Sequence, residues 1–404
     1  MATADKTIRF VVSSSAAAIP PNTVQLVGTG SEQTAGARPS GFSAAQWTST
    51  VFYQYSGGCF VPGWGTHGCW AGVGHGGHAA GTNNNVDACI FDFADYSFKW
   101  LPNTNGVTHA PTMWTEAQTD GAPLYALSGT SGQVPAPHHS YGIDVGINSD
   151  VFSPYRQYGL ESNAAGAGTW RCRLNYATQD CTWSLVENGG ARSAWGGWVN
   201  SDQDWMRSHV DSVRGIVWAC PPTLVQSPAI ASIDPVSGSS WTSSAMTGNP
   251  GDSAQQTGSI RGIPIMDSGR SRIWYIGAND VLYYLTLGNP GASVPWQIAA
   301  GATGFANARS GTSGATTTVR WHEYPVADGG DGCFYTHSHA GQRILKRFNP
   351  STLVIDTVTI TQGDAMPSWN TSNPGHYSNF IYVPGKRCFA FVPGNNQRVA
   401  LVRP

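Results

Sequence analysis

Five of the eleven histidines in this 404-residue chain stand near a tyrosine or an arginine, just ahead of a short apolar run. The groups are Tyr55, His138 and His139 with Tyr141, Arg207 with His209, Arg261, Arg320 with His322 and Tyr324, and His376 with Tyr377. His75 and His78 lie in a glycine-rich loop. Imidazole, phenol and guanidinium gathered at one opening permit three readings. They can bond backbone carbonyls and cap a channel. They can form a carbohydrate site, where aromatic rings cover apolar sugar faces and polar groups address hydroxyls. Or His75, His78, His139 or His322 can hold a divalent metal such as zinc or calcium, although the His75-x-x-His78 and His337-x-His339 spacings suit a metal weakly.

On an acidic polysaccharide, Arg207, Arg261 or Arg320 would fork onto a uronate carboxylate, with His322, His376 and Tyr55 as further binding groups. His139 or His209 would remove the C5 proton, and Tyr141 or Tyr377 would protonate the leaving oxygen. That chemistry is β-elimination. A glycosidase instead needs two carboxyl groups flanking the bond, and Glu116, Glu161, Glu187 and Glu323 show no repeated inward pattern. Asp87, Asp92, Asp144, Asp211 and Asp328 read as turn or strand-edge residues, and His337 and His339 as a solvated hairpin. The chain has no P-loop, nucleophile elbow or dinucleotide fingerprint.

Such groups meet only if the fold repeats. The stretch from Gly72 to Trp100 reads as a turn, the apolar strand Val86–Phe91, a tight reversal and an edge strand ending on an aromatic. Similar blocks follow near residues 137–185, 207–241, 259–298, 319–360 and 376–402. Their first strands are expected at Phe52–Tyr55, Pro137–Val145, Arg207–His209, Ser259–Ile265, Val319–Val326 and His376–Val383. The last block stops after three strands, and Thr7–Val12 or Thr23–Val27 can supply the fourth, removing a free edge. The sequence therefore predicts an all-β, six-bladed propeller of four-stranded antiparallel sheets, closed by an N-terminal strand. Seven blades follow if Asn103–Ala136 or Asn188–Trp205 conceals strands. A β-sandwich is the competing architecture.

The run Gly74-His75-Gly76-Gly77-His78, then Asn85–Asp92 and Trp100, resembles the glycine turn, apolar strand and tryptophan of Kelch-type and galactose-oxidase-like propellers. Phe348-Asn349-Pro350 before Val354–Val358 repeats the second half of that pattern. The double glycine is degenerate outside the first block, and the likeness covers residues 50–404. It implies fold, not activity. The copper constellation of tyrosine, cysteine and histidine is not identifiable here. The histidine, tyrosine and arginine set is similar to that of propeller polysaccharide lyases such as the ulvan lyases.

Composition agrees with a many-stranded fold. There are 49 glycines and 25 prolines, and 16 Trp, 15 Tyr and 14 Phe stand against 22 basic and 24 acidic residues. A net charge of −2 without a basic tract argues against nucleic acid. No apolar run is long enough for a membrane span. Met1–Lys6 lacks the order of a secretory signal, so the protein is either not exported that way or has lost the segment. The eight cysteines read mainly as buried thiols, with Cys172 and Cys181 placed to face one another across a hairpin. Residues 1–50 read as an arm and 51–404 as the propeller. In the arm, Phe10–Val12 or Val24–Val27 can also engage a protein neighbour. That arrangement would suit a phage tail or capsid-associated protein that recognises a surface glycan, the non-enzymatic alternative.

Overall fold

A computed structural model describes residues 18–28, 58–73, 87–105, 144–156, 168–188, 207–220, 229–238, 240–248, 264–276, 281–305, 327–337, 343–367, 380–393 and 397–404. After β1 (Thr23–Val27) the strands come in successive up-and-down runs. The first is β2 (Cys59–Val61), β3 (Cys69–Val73), β4 (Ala88–Asp92) and β5 (Ser97–Leu101). The second is β6 (Val145–Ile147), β7 (Asp150–Arg156), β8 (Gly168–Asn175) and β9 (Asp180–Asn188). Then come β10 (Arg207–Asp211), β11 (Ile216–Cys220), β12 (Ala229–Ile233) and β13 (Thr242–Thr247), followed by β14 (Ile265–Asp267), β15 (Arg272–Ile276), β16 (Leu282–Thr286) and β17 (Val294–Ile298). The next run is β18 (Ala327–Asp328), β19 (Phe334–His337), β20 (Ile344–Asn349) and β21 (Val354–Thr359), trailed by β22 (Gln362–Gly363). The last is β23 (Phe380–Val383), β24 (Cys388–Phe391) and β25 (Val399–Arg403). They form three four-stranded sheets, a five-stranded sheet ordered β22-β1-β25-β24-β23, and an eight-stranded sheet made of β10–β13 and β14–β17.

The middle strands explain the packing. Every residue of β3, β4, β11, β12 and β24 is buried. A strand buried on both faces lies in a sheet covered on both sides and reads as a continuous apolar run. Outer strands such as β13 and β21 alternate between buried and exposed. The apolar core is accordingly divided into seams between successive runs. One seam joins Cys69 and Ile90 to Trp170 and Cys172, the next Phe152 to Val217 and Ala231. Further seams pair Trp218 with Ile273, Trp274 with Phe348 and Tyr335 with Phe389. The last returns to the start, packing Val383 and Cys388 against Trp70 and Phe91. A sandwich has one such seam. This is a propeller-like ring of small antiparallel sheets.

The outer edges are joined in one recurrent way. Chain leaving an outer strand pairs in parallel with the beginning of the next outer strand. Asn103 bridges Cys181 and Thr303 bridges Val354, β22 pairs with β1, and Met246 and Thr247 pair with Val294 and Pro295. The eight-stranded sheet arises where the bridging residues, Met246 and Thr247, are the end of the outer strand β13 itself.

Hairpin turns carry the repeat. The turn after each first strand holds a residue with positive φ: Gly68, Asn148, Gly215, Ser271, Gly332 and Arg387. The turn between third and fourth strands starts from Asp or Asn. Asp92, Asp234 and Asn349 accept from backbone N–H two residues on, at 2.8–2.9 Å, the Asx geometry these side chains favour. Gly146 in β6 is needed for another reason: a Cβ there would stand 1.8 Å from the Phe60 carbonyl oxygen in β2.

Clamps tie neighbouring runs. Arg214 donates to buried Asp211 at 2.7 Å and to the Leu287 carbonyl of the next run at 3.1 Å. Arg270 repeats this with Asp267 and Ser351. Both belong to an Asp-Ser-x-Arg turn. Trp64, Trp100 and Trp274 donate indole N–H to Asp92, Asp87 and Asp267. These aspartates are therefore buried acceptors as well as turn formers.

Several expectations are corrected. Of the expected first strands, Arg207–His209 falls within β10; Phe52–Tyr55, Val319–Val326, and the opening residues of Pro137–Val145, Ser259–Ile265 and His376–Val383 lie outside the described residues. Cys172 faces Trp183 and Cys181 faces Leu174, so these two do not pair across the hairpin, and all eight cysteines are buried thiols outside any disulfide. Val24–Val27 is not a free arm for a neighbour, since β1 pairs with β25 and supplies the missing fourth strand. Thr7–Val12 lies outside the described residues. His337 is buried and stacks on Phe391, ring centroids 5.4 Å apart, rather than lying in a solvated turn; His339 is outside the described residues.

Candidate functional site

The first strands of the described runs, β2, β6, β10, β14, β18 and β23, line one cavity of about 520 Å³. Their orientation follows from contacts between hairpin turns. Gly63 donates its N–H to the Asn148 carbonyl at 2.7 Å, the Ser212 N–H reaches Ser268 Oγ at 3.3 Å, and Gly330 abuts Tyr382. The turns therefore share one end of the ring, with Ser212, Ser268, Gly330 and Pro384 at that end of the cavity. The strand starts share the other end, where Asp144 and Arg207 sit. Between the two ends the wall is apolar, with Phe60, Ile265, Met266, Phe334 and Phe380.

Arg207 and His209 lie two residues apart on β10, so both leave the same side of the strand. Arg207 is buried, and its charge and the burial of the imidazole hold the His209 pKa at about 4, burial being the larger cause. The Pro264 carbonyl accepts from the ring. Nε2 has no partner, so Nδ1–H makes that bond and the imidazole is neutral at physiological pH. Ser208 Oγ, on the same strand, is also buried without a partner. Asp144 accepts from the Ser153 hydroxyl. At the turn end, partial burial and the nearby Asp267 and Asp331 carboxylates raise the Asp328 pKa. Burial, with Cys388 and the same acidic group, raises that of Tyr382.

Of the residues singled out from sequence, Arg207 and His209 are brought together at the cavity. Tyr55, His75, His78, His139, Tyr141, Arg261, Arg320, His322, His376 and Tyr377 lie outside the described residues. Sequence reading passed over Ser208, Met266 and Tyr382 as cavity residues; their signal is position, each lying on a first strand. Among the described residues no group of three or more His, Cys, Asp or Glu is placed to hold a metal, and no helix is long and apolar enough to cross a membrane.

No protein-family model matches the chain, and no curated protein matches it. Similar solved structures include a protein of unknown function from Bacteroides thetaiotaomicron, at 10% identity and TM-score 0.45, covering 94% of this chain and 74% of that one. A copper-bound fungal alcohol oxidase of the AA5 family has 12% identity and TM-score 0.42, covering 86% and 62%. The Cps50 (Swd1) β-propeller domain of Myceliophteria thermophila has 6% identity and TM-score 0.38, covering 87% and 97%.

Proposed function

We propose that the protein is a six-bladed propeller that binds a glycan residue at the strand-start end of its central cavity. On this reading the eight-stranded sheet is two blades joined by the same parallel bridge that links other blades. The carrying observation is the cavity itself. Its volume lies in the range of small-ligand sites, its wall is apolar with phenylalanine rings, and Arg207, Ser208 and Asp144 are polar groups fixed on or beside strands. Apolar surface for sugar faces and a few fixed polar groups for hydroxyls is the division of labour a saccharide site needs. His209, held neutral with a pKa of about 4, is a weak base near neutral pH. It therefore suits hydrogen bonding better than proton abstraction. Binding, rather than elimination, is the activity assigned.

Calorimetric titration of the whole chain with neutral and uronate-containing oligosaccharides tests this. A saturable complex is expected. Arg207→Lys, which keeps the charge but loses the planar fork, should weaken any uronate ligand about tenfold. Absence of binding across both sets overturns the reading. Appearance of unsaturated, ultraviolet-absorbing product replaces binding with a lyase.

A further inference from the structure

The polar atoms of Ser208 and His209 stand out in the cavity wall. Ser208 is 5% exposed and its hydroxyl has no partner; His209 Nε2 is covered and likewise has none. Buried polar atoms are almost always satisfied in native proteins, so two orphans on consecutive residues of one cavity-lining strand call for a partner from elsewhere. Their needs are specific. With Nδ1–H given to the Pro264 carbonyl, Nε2 carries only a lone pair and accepts only from a donor. The serine hydroxyl can give or accept.

We propose that His209 reads a hydrogen-bond donor on the ligand, so that the cavity takes hydroxyl-bearing molecules and rejects their O-methylated counterparts. This rests on the cavity being the binding site. A carboxylate or ether oxygen facing Nε2 would set acceptor against acceptor, and an ammonium would meet the Arg207 charge. A neutral hydroxyl suits both neighbours. Because consecutive residues leave a strand on opposite sides, Ser208 is left for a second ligand atom. Nε2 has no exposed surface of its own, so binding includes a side-chain shift. Met266, unbranched and with three rotatable bonds, is the cavity residue best able to make it.

Phenol and anisole test the inference without knowledge of the natural ligand, since both offer the apolar wall a ring and only phenol offers a donor. Phenol should bind the wild-type chain at least about tenfold more tightly than anisole. His209→Phe should erase that difference by weakening phenol, and His209→Gln, which retains an acceptor, should restore part of it. Should both variants fail to fold, nitrogen NMR of the wild-type imidazole reads the same point. Nε2 should be unprotonated in the free protein and should shift on adding phenol. Equal affinities, no binding of either probe, or a proton on Nε2 overturns the proposal. Phenol selectivity without any oligosaccharide binding would sink the glycan reading alone.

Discussion

Lys386 stands over the ring of Tyr96, its ammonium 4.5 Å from the ring centroid. The lysine belongs to the first hairpin turn of the final run and the tyrosine to the turn between third and fourth strands of the opening run. The pair thus bridges the seam where the ring meets itself. Arg214 with Leu287 and Arg270 with Ser351 make the corresponding link between earlier neighbours. Lys386 is buried, which strengthens the attraction of ammonium to ring. A double-mutant cycle of Lys386→Met and Tyr96→Leu should return a coupling of about 1 kcal/mol in urea unfolding. A coupling near zero would make the contact incidental.

Arg214 neutralises an aspartate with no exposed surface. Removing the arginine leaves the Asp211 carboxylate buried with backbone N–H donors alone, so Arg214→Ala should cost about 3 kcal/mol. Arg214→Lys should recover only part of this, because one ammonium does not reproduce a fork reaching both Asp211 and Leu287. Chemical denaturation of the two variants checks the order.

His209 makes stability pH-dependent with a definite sign. Its folded-state pKa of about 4 lies below the ordinary 6.5, so the unfolded chain takes up the proton first as pH falls. The stabilisation is complete above about pH 6.5 and drains away toward pH 4. Across that window the wild type should lose roughly 3 kcal/mol more than His209→Phe. Parallel pH profiles for the two proteins would contradict a neutral imidazole with a lowered pKa.

Ser271 occupies the left-handed region with φ 55, a conformation that costs an ordinary L-residue about 1–2 kcal/mol. Ser271→Gly should therefore raise the urea midpoint, with a gain of about 1 kcal/mol. Its neighbours in the turn are unchanged. A fall in the midpoint would mean that the serine side chain contributes more than its backbone strain removes.

Val24 on β1 is 1% exposed in the seam with Phe389 and Ala400. Val24→Asp places an unpaired carboxylate there and should cost at least about 3 kcal/mol. Scattering and unfolding measurements should report a looser, less stable chain. An unchanged midpoint would show that β1 is dispensable.

The repeat was legible because its signals are local. Val86–Phe91 and Ala229–Ile233 are short apolar runs between turn residues, and Phe348-Asn349-Pro350 announces a hairpin. Short first strands were not legible. Ala327 and Asp328 look like loop, and only pairing with β19 makes them a strand. Arg207 and His209 were legible as strand residues because β10 is long enough to show. Register is equally non-local: Cys172 and Cys181 flank a turn, yet the hairpin sets Leu174 opposite Cys181. The Asp-Ser-x-Arg clamps look like ordinary turn chemistry until the next sheet supplies Leu287 or Ser351.

Pairing β1 with β25 also orders events during synthesis. Leu26 is bound by Arg398 across 372 residues, so β1, made early, waits for β25, made late, before that edge is occupied. Contacts this distant in sequence slow folding, and the apolar side of β1 stays available to wrong partners meanwhile. Chaperone protection should therefore matter most around β1, before any seam downstream is at risk.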